Sequence, residues 1–295
     1  MLGERHWLLD LFSNFRVHCF VLFLGLAAIL VFLRRRLAAT ATLAGAALSA
    51  IPLLGYMGAP SQAAAAAESH VFRLVSFNVW FRNRDYARIA ELLGSMRADV
   101  VILIEALGSA GRELQALLPE YPYAYFDPAM HGVVVLSRWP MQSRPQPLGG
   151  AGARAAVAQI DWRGEPLTLV GAHLHWPLGA HSARLRNAEL DELATLIDPA
   201  NPLIAAGDFN LTPWSPWFRR FESRSGLRDC ARGQGVAPSW PAHAPWIGLR
   251  IDHCFASTHW NVLSARLGPA GGSDHRPLIV ELEIARPANR APRAE

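Results

Sequence analysis

Near the end of the chain, the stretch Ser273-Asp274-His275-Arg276-Pro277 sets two side chains capable of acid–base work next to each other. Gly271 and Gly272 precede it and the apolar run Leu278-Ile279-Val280 follows. An Asp–His pair delivered by a pliable loop at the mouth of a strand can serve a metal site or a general base. The same residue types also make a plain turn. Polar residues elsewhere bear on the choice, because they recur at the ends of apolar runs. Asn78 closes one such run, and Glu105 ends Val100-Val101-Ile102-Leu103-Ile104. A half-desolvated carboxylate in that position needs a cation or a hydrogen-bond partner. His173 follows the run 167–172 in the same way, although a core histidine bonded to a backbone carbonyl would look alike. In Gly207-Asp208-Phe209-Asn210, after Leu203-Ile204-Ala205-Ala206, the glycine permits a tight turn and Asp208 and Asn210 project to one side. Asp252 lies inside a strand-like run, where a carboxylate is costly unless it meets a cation or a histidine, and His275 is the candidate partner.

Hard oxygen donors without a cysteine among them favour magnesium or manganese over zinc. An Asp that holds a His in one tautomer makes a general base. Amide, imidazole and metal together suit the stabilisation of a pentacovalent phosphate.

Strands that end on these residues are predicted over 71–79, 99–104, 132–137, 202–206, 249–255, 261–267 and 278–284, with a hairpin of 155–161 and 166–172 around Arg163-Gly164. Helices are predicted over 86–96 and over 183–197, the latter with Leu185, Leu190, Leu193 and Ile197 on one side. Many short strands and few helices describe an α/β domain of two sheets packed face to face with helices outside.

Ahead of this domain, residues 17–33 and 37–57 are two apolar runs separated by Arg34-Arg35-Arg36. Each approaches the roughly 17–25 residues of a membrane span. Two transmembrane helices with the basic loop 34–36 in the cytoplasm leave both ends, and the whole domain, on the other side. A cleaved signal with its cut near residues 63–67 exports the domain as well. The division expected is therefore an N-terminal segment 1–16 forming a short interfacial helix, membrane helices within 17–57, a linker 58–70, a catalytic domain 71–285 and a disordered tail 286–295. All 28 basic residues are arginine, and the net charge of +4 is too small to select nucleic acid as a partner. The three cysteines, Cys19, Cys230 and Cys254, form no zinc or redox motif, though the last two could pair in an oxidising compartment.

Taken in order, Ser76-Phe77-Asn78-Val79, Glu105, residues 132–138 (GVVVLSR), His173-Leu174, Gly207-Asp208-Phe209-Asn210, Ile251-Asp252-His253 and Ser273–Pro277 resemble the motifs of the endonuclease/exonuclease/phosphatase superfamily, the deoxyribonuclease I-like and exonuclease III-like enzymes, over about residues 71–284. The resemblance implies a four-layer α/β/β/α sandwich and magnesium-dependent phosphoester hydrolysis by in-line water attack. It places Asn78, Glu105 and Asp274 around the metal. Asp208 orients or deprotonates the water, Asn210 holds a phosphate oxygen, Asp252 fixes His275 as base or phosphate ligand, and His173 stabilises transition-state charge. Two departures stand out: Trp80 occupies the place of a second acid found in repair-type members, and Ile104 precedes Glu105 where Gln is frequent. Arg154 and Arg184 are candidates for substrate phosphate. Trp80, Trp176, Trp214, Trp217, Trp240 and Trp246 are candidates for an apolar rim, although core packing would explain most of them equally well.

The expected function is a phosphoesterase anchored in the inner membrane with a periplasmic catalytic domain, acting on a lipid-linked phosphate at the bilayer. An exported nuclease is the alternative. A non-catalytic binding protein on the same fold would have lost at least one of Glu105, Asp208, Asp274 and His275, and all four are present.

Overall fold

Unbroken or alternating runs of Val, Ile, Leu and Phe form the strands, and turn residues end them where a polar side chain is needed. The computed structural model describes residues 3, 6–58, 70–127, 132–148 and 153–285. The expected tail 286–295 and most of the expected linker lie outside the described residues. The globular part begins with β1 (Phe72–Asn78), α4 (Tyr86–Met96), β2 (Val100–Ile104), α5 (Ala110–Ala116), β3 (Tyr123–Phe126) and β4 (Val134–Ser137). It continues with β5 (Met141–Leu148), β6 (Ala153–Trp162), β7 (Glu165–His173), α6 (Ala180–Leu196), β8 (Leu203–Asp208), α7 (Pro216–Ser225) and β9 (Arg228–Asp229). β10 (Asp252–Ala256), β11 (Trp260–Leu267) and β12 (Leu278–Ile284) complete it.

The strands make two six-stranded sheets, ordered β11-β12-β1-β2-β4-β3 and β5-β6-β7-β8-β10-β9. Phe72, Leu74, Ile102 and Ile104 of the first sheet pack on Ala156, Ala158, Leu169 and Ile204 of the second. Each large apolar side chain buried there contributes about 1.5–3 kcal/mol before the entropy of ordering is counted. On the outer face of the first sheet, Ile89 and Leu93 of α4 and Leu114 of α5 cover Phe77, Val101 and Leu103. On that of the second, Leu190 and Leu193 of α6 and Phe218 and Phe221 of α7 cover Val170, Ala205 and Phe255. The four-layer sandwich expected from the sequence is the observed one.

Differences from the sequence reading have local causes. β5 carries Pro145 and Pro147 and is largely exposed, so it lacks strand alternation; as the edge of its sheet it tolerates both prolines. In α6 the buried face holds Arg186 and Glu189, while Leu185 is only half-buried.

The N-terminal region departs most from expectation. Three helices, α1 (Trp7–Ser13), α2 (Arg16–Phe32) and α3 (Arg36–Ala50), are followed by a 3₁₀ turn, Ile51–Tyr56. Among the described residues one helical stretch, Arg36–Tyr56, is alone long and apolar enough to cross a membrane. A second qualifies only if α1 and α2, bent by 67° at their junction, count as one span. The 17 residues of α2 rise about 25 Å, short of the ~30 Å hydrocarbon layer. At the bend α1 docks on the globular domain through its buried face, while Leu8, Leu9 and Phe12 stay exposed. Asp10 is buried between the Arg186 guanidinium and the Ser215 hydroxyl. Asn14 Oδ1 accepts from the Thr212 amide at 2.8 Å and its hydroxyl at 2.9 Å. The other end of the hairpin is fastened too: the Tyr56 hydroxyl donates to Asp229 at 2.9 Å, and Gly235 N–H donates to the Tyr56 carbonyl at 2.8 Å.

The second outer core also buries a histidine. His253, fully buried beside Phe218 and Phe209, donates Nε2–H to the Leu211 carbonyl at 2.8 Å, and its Nδ1 has no partner. Burial, aided by the Arg250 charge, pulls its pKa from 6.5 to about 4. Between those values the unfolded chain binds a proton that the folded chain does not, so stability is complete above pH 6.5 and is lost as pH falls toward 4. The loss should reach about 3 kcal/mol. Urea unfolding at neutral and acid pH should show that acid slope in the native protein and a reduced one in His253→Gln; equal slopes would refute the assignment.

Cys230 and Cys254 are free thiols with their sulfurs 3.1 Å apart, both buried.

Candidate active site

Register explains why the polar strand ends converge. β7 and β8 run parallel with His173 opposite Asp208, and β8 and β10 run antiparallel with Asp208 opposite Asp252. Three functional side chains therefore stand in one row across three neighbouring strands. In the facing sheet Asn78 pairs with Ile104, which brings Glu105 to the same end of the sandwich. The loop before β12 adds Asp274 and His275. Gly207 is obligatory here: its φ is +149°, and a Cβ would lie 1.9 Å from the Ala172 carbonyl oxygen. Glu105 and Asn210 both take left-handed backbone conformations, φ +61° and +51°, a cost carried where the chain must turn out of a strand.

Asp252 Oδ2 meets His275 Nδ1 at 2.8 Å, so the imidazole is held with Nδ1 protonated and Nε2 turned toward Asp208, 3.8 Å from its Oδ2. His173 Nε2 approaches the same oxygen at 3.9 Å. Asp208 Oδ1 accepts from the Asn210 amide at 2.9 Å. Asn78 joins the two sheets: its amide nitrogen donates to Glu105 at 3.0 Å and to Asp208 at 3.2 Å. Its amide oxygen accepts from Trp80 N–H at 3.0 Å, which fixes the orientation of the amide. The second Glu105 oxygen accepts from Phe81 N–H at 3.0 Å. The Ser273 hydroxyl ties the catalytic loop to the first sheet by donating to the Asn78 carbonyl at 2.7 Å while accepting from His275 N–H at 3.0 Å.

These contacts set the protonation states. Burial and then the neighbouring charge of Asp252 push Asp208 up to about 6, opposed by the two histidines. Burial works against the charge on His275, but Asp252, Asp208 and Asp274 outweigh it and raise its pKa to about 10.

The residues fit a hard cation. Glu105, Asp208 and Asp274 line one cleft, and the buried Oδ1 atoms of Asp274 and of Asp252 have no hydrogen-bond partner. The other Asp274 oxygen accepts from Trp240 Nε1 at 3.1 Å. Among the described residues, potential ligand atoms of Asp208, Asp252 and His275 also lie within 4.8 Å of one another. Asp252 and His275 spend their facing atoms on each other, however, which leaves Glu105 and Asp274 as the more accessible edge for a metal.

A cleft of about 570 Å³ opens over Glu105, His173, Asp208, Asn210, Asp274 and His275. Asn78 sits behind them, and Asp252 behind His275. Trp80, Trp176 and Trp240 line the cleft, whereas Trp214 packs on Tyr56, Trp217 lies in a separate groove and Trp246 in another. Arg184 is exposed in the groove with Trp217 and does not line the cleft. Arg154 stands in β6 opposite Pro147, and its side chain lies outside the described residues.

Sequence reasoning missed several supporting residues. Glu189 is buried on α6 and accepts from His175 N–H at 2.9 Å while its other oxygen meets His175 Nδ1. The signal available was the spacing of Arg186 and Glu189, which places two charges on the helix face that carries Leu190 and Leu193. Ser239 was missed as well; its hydroxyl accepts from the Ile251 and Asp252 amides, each at 3.1 Å. Nothing in the sequence marks it.

Comparison with known proteins agrees with this geometry. No curated protein matches the chain by sequence. Among solved structures, an endonuclease/exonuclease/phosphatase from Beutenbergia cavernae superposes with a TM-score of 0.63 at 22% identity, covering 72% of each chain. The human Nocturnin catalytic domain with bound sulfate gives 0.59 at 20%, covering 73% of this chain and 95% of that one. TDP2 from D. rerio in complex with a single-strand DNA product gives 0.60 at 18%, covering 72% and 98%. The Endonuclease/Exonuclease/phosphatase family model matches residues 75–275, more than half of the chain and every strand end that carries a site residue. The chain belongs to the endonuclease/exonuclease/phosphatase family.

Proposed function

We propose that this chain is a membrane-anchored, magnesium- or manganese-dependent phosphoesterase whose catalytic domain stands on the extracytoplasmic side of the inner membrane. The observation that carries the chemistry is the buried Asp252–His275 pair set 3.8 Å from Asp208, a carboxylate with its pKa raised to about 6. Such a carboxylate is ionised at neutral pH yet basic enough to take a proton from water. His275 keeps its proton at that pH and serves as a cation toward the phosphate, not as the base. A divalent cation at Glu105 and Asp274 would neutralise phosphate charge and polarise the phosphorus.

The steps for the protein groups follow. Asn210 and His173 orient the phosphate beside His275. Asp208 takes one proton as the water oxygen bonds to phosphorus in line with the leaving oxygen. The P–O ester bond breaks, the leaving oxygen takes a proton from solvent and Asp208 returns its own to solvent, so one water is consumed for each ester cleaved.

Support for the membrane comes from the side chains that α2 and α3 leave uncovered: Val21, Leu22, Val31, Phe32, Leu37 and Leu48 are each more than 60% exposed. Arg34-Arg35-Arg36 between the helices favours a cytoplasmic turn. A nuclease reading draws on the fold likeness to the TDP2–DNA complex.

Removing divalent metal with a chelator should reduce hydrolysis of phosphate esters to background, and added Mg²⁺ or Mn²⁺ should restore it. Turnover that persists in chelator would overturn the metal assignment.

A further inference from the structure

The floor of the cleft is polar, but its walls are not. Leu11 and Phe15 from the docked N-terminal segment form one wall, Trp80 and Phe81 another, and Trp176 and Leu178 a third. Four of these side chains stay in solvent, with Phe15 37%, Phe81 45%, Trp176 59% and Leu178 56% exposed. Although the chain carries 28 basic residues, all arginine, none lines the cleft among the described residues. A nucleic-acid strand brings a phosphate on either side of the one cleaved, and binding sites for it gather cations along the backbone as well as aromatic platforms. Among the described residues this cleft offers the aromatic surface with His275 on its floor, but no arginine for the flanking phosphates. Its Phe15 wall is continuous with α2, which begins at Arg16 and presents its own uncovered Val21 and Leu22.

From this we infer that the site takes the phosphate ester of a long-chain amphiphile, with phosphate on the polar floor and the chain laid along Leu11, Phe15, Trp176 and Leu178. The inference rests on the phosphoesterase reading and narrows its substrate class. The apolar walls then have an occupant: a chain drawn from a lipid surface covers side chains that would otherwise face water.

The test uses the full chain in detergent micelles with Mg²⁺. Dihexanoyl and dipalmitoyl forms of phosphatidic acid supply a monoester pair, and the same two forms of phosphatidylglycerol supply a diester pair, all presented in one micelle composition. A single-stranded oligonucleotide is the competing substrate. For whichever pair is cleaved, kcat/KM should favour the long chain by about tenfold or more, the effect of roughly two additional buried methylenes. Leu178→Ser and Trp176→Ser, at exposed positions outside the core, should shrink that long-to-short ratio several-fold. Equal values for the two chain lengths, an unchanged ratio in both variants, or faster cleavage of the oligonucleotide would overturn the inference while leaving a phosphoesterase. Cleavage of none of them with metal present would overturn the phosphoesterase reading, and this inference with it.

Discussion

His275→Ala should lower kcat for phosphoester hydrolysis by about 10²–10³-fold, the range lost when one group that stabilises transition-state charge is removed. The structure explains why the loss should fall on kcat. His275 is buried with Nδ1 committed to Asp252 and Nε2 aimed at the Asp208 carboxylate, so in the proposed mechanism it acts on the phosphate where charge develops. Asp252→Asn separates the role of the pair from that of the ring. It keeps the side-chain shape but removes the charge that holds the His275 proton, and His275 should then titrate well below about 10. An NMR titration of the ring, set beside the pH–rate profile of the variant, checks this directly. Asp208→Ala should cost as much as His275→Ala, and the double variant little more, because the groups act as one unit. Unchanged turnover in either single variant would refute the assignment.

Asp10→Ala should destabilise the protein by about 3–5 kcal/mol, although Asp10 lies outside the region matched by the family. The substitution strands a wholly buried guanidinium: Arg186 is fully excluded from solvent, and its other nitrogens bond Asn187 and the Asn210 carbonyl. Replacing both partners with apolar residues, Asp10→Leu with Arg186→Met, should recover most of that loss, since a buried ion pair is worth less than the penalty of breaking it. Thermal unfolding in detergent measures both effects. Turnover should fall in the single variant as well, because Arg186 holds the carbonyl of Asn210, whose side chain is set by its 2.8 Å bond to the Leu174 carbonyl. An unfolding midpoint that does not move would mean that α1 is not docked in solution.

Most of the site was legible in the sequence because the residues that carry it sit at the ends of apolar strands. An unbroken run such as residues 100–104 announces its own buried position, and the polar residue after it must be at an edge. Asn78, Glu105, His173 and Asp208 were found by that logic, Asp252 by the cost of a carboxylate inside a strand-like run with His275 as its partner, and the two-sheet frame followed from the same runs. Residues that act through long-range contacts were not legible. Asp10 and Arg186 are 176 positions apart, and no local pattern joins a charge on a short N-terminal helix to one on α6. Ser239 acts through backbone amides in an irregular stretch, where periodicity carries no information. The two apolar helices of the N-terminal region were readable in extent, since the runs 17–33 and 37–57 fall within a residue of Arg16–Phe32 and Arg36–Tyr56, but the docking of α1 that precedes them was not. Arg184 shows the converse limit. An arginine within a predicted helix looks available to phosphate until the helix is turned, and here it faces a different groove.

If the proposed membrane placement holds, the fastening of the helical hairpin at both ends, through Asp10 and Asn14 on one side and Tyr56 on the other, sets how substrate is searched for. A catalytic domain on a loose tether sweeps a hemisphere and samples the surrounding solution. On the proposed membrane placement, this one is bolted to its anchor, and the mouth of the cleft keeps one height and one heading above the bilayer. Its encounters are then those of a two-dimensional walker. Turnover should follow the surface density of substrate in the same membrane, and dilution of the bulk phase at constant lipid composition should leave it unchanged.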